Sequence, residues 1–132
     1  MDTYLLAIGW WNFIGSIMML GMFYEPFGQK MLNEWCLMFK DKFTLDYWAK
    51  LWFGWASGLN IFFGLVNIMA VTWGYNEVKI FLIWLDIIAY LIFVGLVVWG
   101  LKAERLLRPG AYSAFAIFGI WIVWGYLAVL QH

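Results

Sequence analysis

Four long runs of apolar residues, separated by short polar stretches, dominate the chain. The first extends from about Tyr4 to Phe23 and contains no charged side chain. The second covers about 47–73, the third about 80–101 and the fourth about 110–130. A helix of roughly 20 apolar residues crosses a hydrocarbon core of roughly 30 Å. Inside lipid only helices and closed barrels satisfy every backbone N–H and C=O. Barrel strands are alternating segments of roughly 10 residues, and these runs are longer and do not alternate. The pattern therefore predicts an all-α membrane protein. Its expected form is a single transmembrane domain over 1–132, folded as a four-transmembrane-helix bundle.

The polar breaks add detail. Glu25-Pro26-Phe27-Gly28 ends the first run, because Pro and Gly continue a helix poorly. Over about 29–43, Leu32, Trp35, Phe39 and Phe43 recur at helical spacing, while Lys30, Asn33, Glu34, Lys40, Asp41 and Lys42 lie largely elsewhere. This amphipathic pattern is too charged to span, and predicts a short interfacial helix with its aromatic face toward the acyl boundary, the alternative being a loop helix packed on the bundle ends. Thr44 is the expected N-cap of the second span, with Asp46 in its first turn and Phe43 and Trp48 at the staple positions. The connection Gly74–Lys79 is short enough to make the second and third spans antiparallel neighbours. Pro109 fits the first turn of the fourth.

Composition strengthens the membrane reading. Apolar residues make up 66% of the chain and charged residues 12%, against about 45–50% and about 25% in soluble domains. Net charge is zero and no basic patch stands out, so no nucleic-acid partner is expected. The single cysteine, Cys36, excludes an intrachain disulfide and a Cys-x-x-Cys redox motif. Met1-Asp2-Thr3-Tyr4 lacks Lys and Arg and no Ala-x-Ala site follows, so the first run is expected to be a retained span rather than a signal peptide. The first and third loops, with the adjoining span ends, carry Lys30, Lys40, Lys42, Lys50, Lys102, Arg105 and Arg108, whereas the opposite side has only Lys79. The positive-inside rule puts those two loops in the cytoplasm and both termini outside, in the cell (inner) membrane.

One residue departs from what lipid demands. Asp86 is the only charged residue well inside a span, about 9 Å from the start of the third at a rise of 1.5 Å per residue. A lone carboxylate there must be paired, hydrated or protonated. Asn67 and Asp86 are equidistant from the centre of the connection, between Asn76 and Glu77, so the hairpin sets them at similar depth. Asn12 in the first span lies slightly deeper, and Tyr90 is one turn below Asp86. These four form the expected intramembrane polar cluster, with Tyr126 as a fourth-span contributor. It acts either as a clamp on helix register or as a titrating or cation-binding group, and the clamp is the preferred reading.

Small and polar residues also form stripes. Ser57, Asn60, Gly64 and Asn67 follow one another at helical steps, Gly54 and Gly58 form a Gly-x-x-x-Gly pair, and Gly9, Asn12 and Ser16 share a face. Such faces let helices approach closely, so Gly54, Gly58, Asn60, Gly64 and Ser16 are read as packing positions. The only histidine is His132, which leaves no axial ligand for a tetrapyrrole within a span. No phosphate loop, metal cluster or nucleophile–base pair is apparent. The sequence thus predicts no catalytic residue, metal or cofactor. It predicts a non-catalytic accessory or structural subunit of a larger membrane complex, hetero- or homo-oligomeric, whose partners are the bilayer and other membrane subunits or itself. A small transporter or channel using Asp86 as a proton or cation site is one alternative. A carrier of a hydrophobic ligand such as a lipid or quinone, bound among the aromatics, is the other.

Overall fold

The computed structural model describes residues 1–24, 27–30, 40, 44 and 46–132. The interfacial helix expected over about 29–43 lies mostly outside the described residues, as do Cys36 and Phe43. Helix α1 covers Asp2–Leu20 and is followed by a 3₁₀ turn at Gly21–Phe23; α2 is a single turn at Phe27–Lys30. Helices α3 (Tyr47–Trp73), α4 (Asn76–Lys102) and α5 (Arg108–Leu130) follow. Among the described residues four helices, α1, α3, α4 and α5, are long and apolar enough to cross a membrane.

The helix ends follow from local chemistry. Asp46, not Thr44, caps α3: its backbone is extended and its carboxylate accepts from the Ala49 N–H at 2.8 Å. The carboxylate serves both as acceptor and as the anion favoured by the helix dipole. At the other end of α3, Gly74 takes a left-handed conformation with φ 74°, which a residue without Cβ adopts at little cost. Helix α4 already begins at Asn76, four residues before the apolar run that marks the third span. The link between α3 and α4 is therefore only Gly74-Tyr75. The end of α4 is closed by a left-handed Glu104, φ 56°. There the Arg105 N–H reaches the Gly100 carbonyl and the Glu104 N–H the Leu101 carbonyl, which satisfies two carbonyls of the last turn. Leu106 then folds back onto Gly100, where a Cβ would stand 2.7 Å from its Cδ1.

The long helices associate chiefly as two pairs, α1 with α3 and α4 with α5. The first pair is set by two glycines. A Cβ on Gly64 would lie 2.7 Å from the Gly9 carbonyl oxygen, and one on Gly9 would lie 2.8 Å from the Gly64 carbonyl oxygen. The backbones meet at this point because neither residue has a side chain, which is how helices approach where lipid removes the hydrophobic drive. The second pair is aromatic. Phe93 stacks on Phe118 with centroids 5.7 Å apart, and Tyr90 lies 5.4 Å from the same ring.

Both pairs contribute to one core. It contains Tyr4, Leu5 and Ile8 from α1, Ala70 from α3, Leu82, Ile83, Ile87 and Tyr90 from α4, and Ala128 from α5. Most of these lie toward the end that carries both termini and the α3–α4 turn, and Tyr90 reaches the middle of α4. Tyr4 is its anchor, edge-on to Trp121 and Trp124 of α5. Toward the opposite end a second buried cluster, among the described residues, is formed by Val97, Leu106, Ala111 and Ala114 of α4, α5 and their connection. At that end the first and third loops are tied by a backbone hydrogen bond from the Lys40 N–H to the Arg105 carbonyl, 3.1 Å.

Candidate functional site

Helix α4 carries Lys79, Asp86 and Tyr90 at steps of seven and four residues, which places them on one stripe. All three are buried. Each meets a side chain of the α1–α3 pair. The Lys79 ammonium lies 2.8 Å from Asp2 Oδ1. The Asn67 amide Nδ2 donates to both Asp86 oxygens, at 3.0 and 3.2 Å. The Tyr90 hydroxyl donates to Asn12 Oδ1 at 3.1 Å and is also a hydrogen-bond partner of Trp11. At 1.5 Å per residue the contacts sit at levels about 10 Å and about 6 Å apart. Three polar rungs thus join α4 to α1 and α3.

The rungs differ in their environment. Asp2 is 54% exposed, so the Asp2–Lys79 pair opens to the surface. Asp86 is 6% exposed and Asn67 1% exposed. The carboxylate of Asp86 is therefore held by one neutral amide, and the nearest ammonium along its stripe is committed to Asp2. Two further polar atoms near this level are buried without a hydrogen-bond partner among the described residues: Asn67 Oδ1 and the Tyr4 hydroxyl. Tyr4 and Tyr90 belong to the same buried cluster as Ile87, the chain neighbour of Asp86. Gly125 of α5 makes room for the Tyr4 hydroxyl, which would stand 3.0 Å from a Cβ there.

The sequence-derived positions divide accordingly. Asp86 and Asn67 meet directly, as do Tyr90 and Asn12. Asn12 bonds Tyr90 rather than Asp86, so the four residues form two rungs one turn apart instead of a single cluster. Gly64 lies at the α1–α3 crossing, and Ser16 is buried at 2% exposure. Asn60 is half-buried. Gly54 receives the ring of Phe23, 2.9 Å from its would-be Cβ, while Gly58 has nothing within 4 Å. Among the described residues no second long helix meets the Gly54–Gly58 pair. Tyr126 is exposed and packs edge-on against Trp84, away from the rungs.

The sequence reading missed the Asp2–Lys79 rung, Tyr4, Trp11 and Gly125. Lys79 was assigned to the connection; because α4 starts at Asn76, it falls in helical register with Asp86. The seven-residue spacing between them was the available signal. For the outermost rung we expect little energy. Asp2→Asn keeps an acceptor for Lys79 and removes a charge near the surface, where ion pairs contribute about 0–1 kcal/mol. Reversible unfolding in mixed detergent micelles should show a loss below about 1 kcal/mol; a loss comparable to that of the Asn67 variant described below would contradict this ranking.

Chemically the arrangement can fix the rotation and depth of α4 against α1 and α3. Where lipid surrounds helices, apolar contacts between them gain little, and polar rungs with close backbone contacts decide which faces meet. Among the described residues no group of three or more His, Cys, Asp or Glu side chains is placed to hold a metal. The chain matches no family model, no curated protein and no solved structure.

Proposed function

We propose that this protein is an integral membrane subunit, a non-catalytic accessory or structural component of a larger hetero- or homo-oligomeric membrane assembly. In this reading the four long helices form a bundle across the cell (inner) membrane, with both termini outside and the first and third loops cytoplasmic. The bias of Lys and Arg toward those loops supports the orientation.

The observation that carries the proposal is how little of each helix the chain covers by itself. Only 22–33% of the most apolar window of each long helix is buried. Trp10, Trp52, Trp55, Phe62, Phe81 and Trp99 are all at least 49% exposed. With them are glycines whose missing side chain the fold does not require, exposed at Gly15, Gly58 and Gly95 and half-buried at Gly119. Gly15, Gly58, Gly95 and Gly119 would meet nothing within 4 Å if they carried a Cβ. Glycine within a helix is less stable than alanine by about 0.5–1 kcal/mol, and open glycines on membrane helices suit the close approach of another helix.

The test is native isolation without a tag on this chain, in a mild detergent. The expected result is migration as a complex larger than one chain, with defined membrane partners or further copies of itself. A monodisperse lone monomer at native expression would sink the proposal.

A further inference from the structure

The middle rung is under-compensated for its surroundings. A carboxylate 6% exposed is met by a single amide, and the same amide leaves its own oxygen buried and unpartnered. Buried ionised groups require charge compensation or full hydrogen bonding; here one neutral amide nitrogen serves both carboxylate oxygens, and Asn67 Oδ1 has no partner among the described residues. An Asn side chain presents either N–H donors or a carbonyl acceptor on a half-turn about its terminal torsion. With Nδ2 toward Asp86 the amide serves an ionised carboxylate. With Oδ1 toward Asp86 it serves a carboxylate that has taken up a positive charge.

We infer that Asp86 and Asn67 form a binding site for one exchangeable positive charge, an alkali-metal cation or a proton. On uptake the Asn67 amide turns to present Oδ1. A cation is then shared between that oxygen and the Asp86 carboxylate. A proton from solvent instead forms an O–H bond on Asp86, and that O–H donates to Asn67 Oδ1. In both cases Oδ1 gains a partner while Nδ2 gives up its two bonds to Asp86, so the net gain is the cancelled charge of a buried carboxylate.

The charged and titratable groups around the site are few. Helix α1 contributes the Tyr4 hydroxyl, itself unpartnered, and α4 contributes Tyr90 below and Lys79 above. Lys79 is paired with Asp2. Helix α3 has no charged residue between Leu51 and Trp73, and α5 none between Pro109 and Leu130. No other fixed cation in these helices competes for Asp86, which leaves the place open to a mobile one.

The experiment follows the unfolding midpoint of the purified full chain in mild detergent, against Asp86→Asn as reference. Sodium replaces choline at fixed pH and ionic strength in one titration, and pH varies at fixed choline in the other. Uptake neutralises a carboxylate held away from water. The wild type should therefore gain about 5 °C over the variant along at least one titration. A sodium response identifies an alkali cation; a pH response without one identifies a proton. Parallel curves for the two proteins in both titrations overturn the inference. If Asp86→Asn does not fold, the double variant Asp86→Leu, Asn67→Leu is the reference, and the same outcomes decide.

Discussion

Gly64→Leu is expected to abolish the pairing of α1 with α3. Even a methyl group at this position would stand 2.7 Å from the Gly9 carbonyl oxygen and 3.0 Å from the Phe13 nitrogen. Both are backbone atoms, so no side chain can rotate away to make room. Overpacking in a well-packed interior is destabilising by about 1–3 kcal/mol where neighbours can adjust. Here the adjustment is a displacement of a whole helix, and the Asn12–Tyr90 rung moves with it. The loss should reach or exceed the upper end of that range, seen as a lower midpoint in detergent unfolding. Gly58→Leu is the control, because nothing lies within 4 Å of its would-be Cβ. Equal stability of Gly64→Leu and wild type would show that the crossing does not hold the pair.

The second large effect is Asn67→Leu. Hydrogen bonds between membrane helices contribute about 0.6 kcal/mol on average and up to about 1.7 kcal/mol. If the rung were only a hydrogen bond, its loss would be that small. Removing Asn67 also leaves Asp86 buried without its donor, and an unpartnered buried polar group costs about 1–3 kcal/mol, more when charged. Asn67→Leu should therefore destabilise by about 2–4 kcal/mol. Asp86→Asn keeps an amide pair and should cost about 1 kcal/mol or less. The double variant Asp86→Leu, Asn67→Leu should recover most of the Asn67→Leu loss, since replacing both partners by apolar groups is nearly neutral. If the double variant is as unstable as Asn67→Leu, the cost lies in lost packing and not in the orphaned carboxylate.

The rungs show what a sequence can reveal in a helix long and apolar enough to cross a membrane. The common depth of Asn67 and Asp86 was legible because a tight link makes depth a matter of counting residues outward from it, and the count does not depend on where the helix begins. The partner of Asn12 was not legible. The first helix is not tied to α4 by a short link, so its depth and rotation are set by the Gly9–Gly64 crossing, a tertiary contact. The Asp2–Lys79 rung was obscured by a different effect. Asn76 to Lys79 are polar enough to read as a loop, yet they form the first turn of α4 and project its stripe upward. Polar residues at a helix end resemble a connection when hydropathy alone is counted. The cap of α3 shows the same boundary uncertainty, with Asp46 two residues beyond Thr44.

The Gly74–Tyr75 link has a mechanical consequence. It joins the two helix pairs at the same end as the three rungs and the shared core, so any parting of the pairs has its fulcrum there. Helix α4 has 27 residues, which makes a rigid arm of about 40 Å. Displacement grows along that arm and is greatest at the far end, where the first and third loops meet. The Lys40–Arg105 backbone bond sits at the tip of this lever. There a weak tie resists opening with the greatest leverage, and a partner gripping those loops would need the least force to part the pairs.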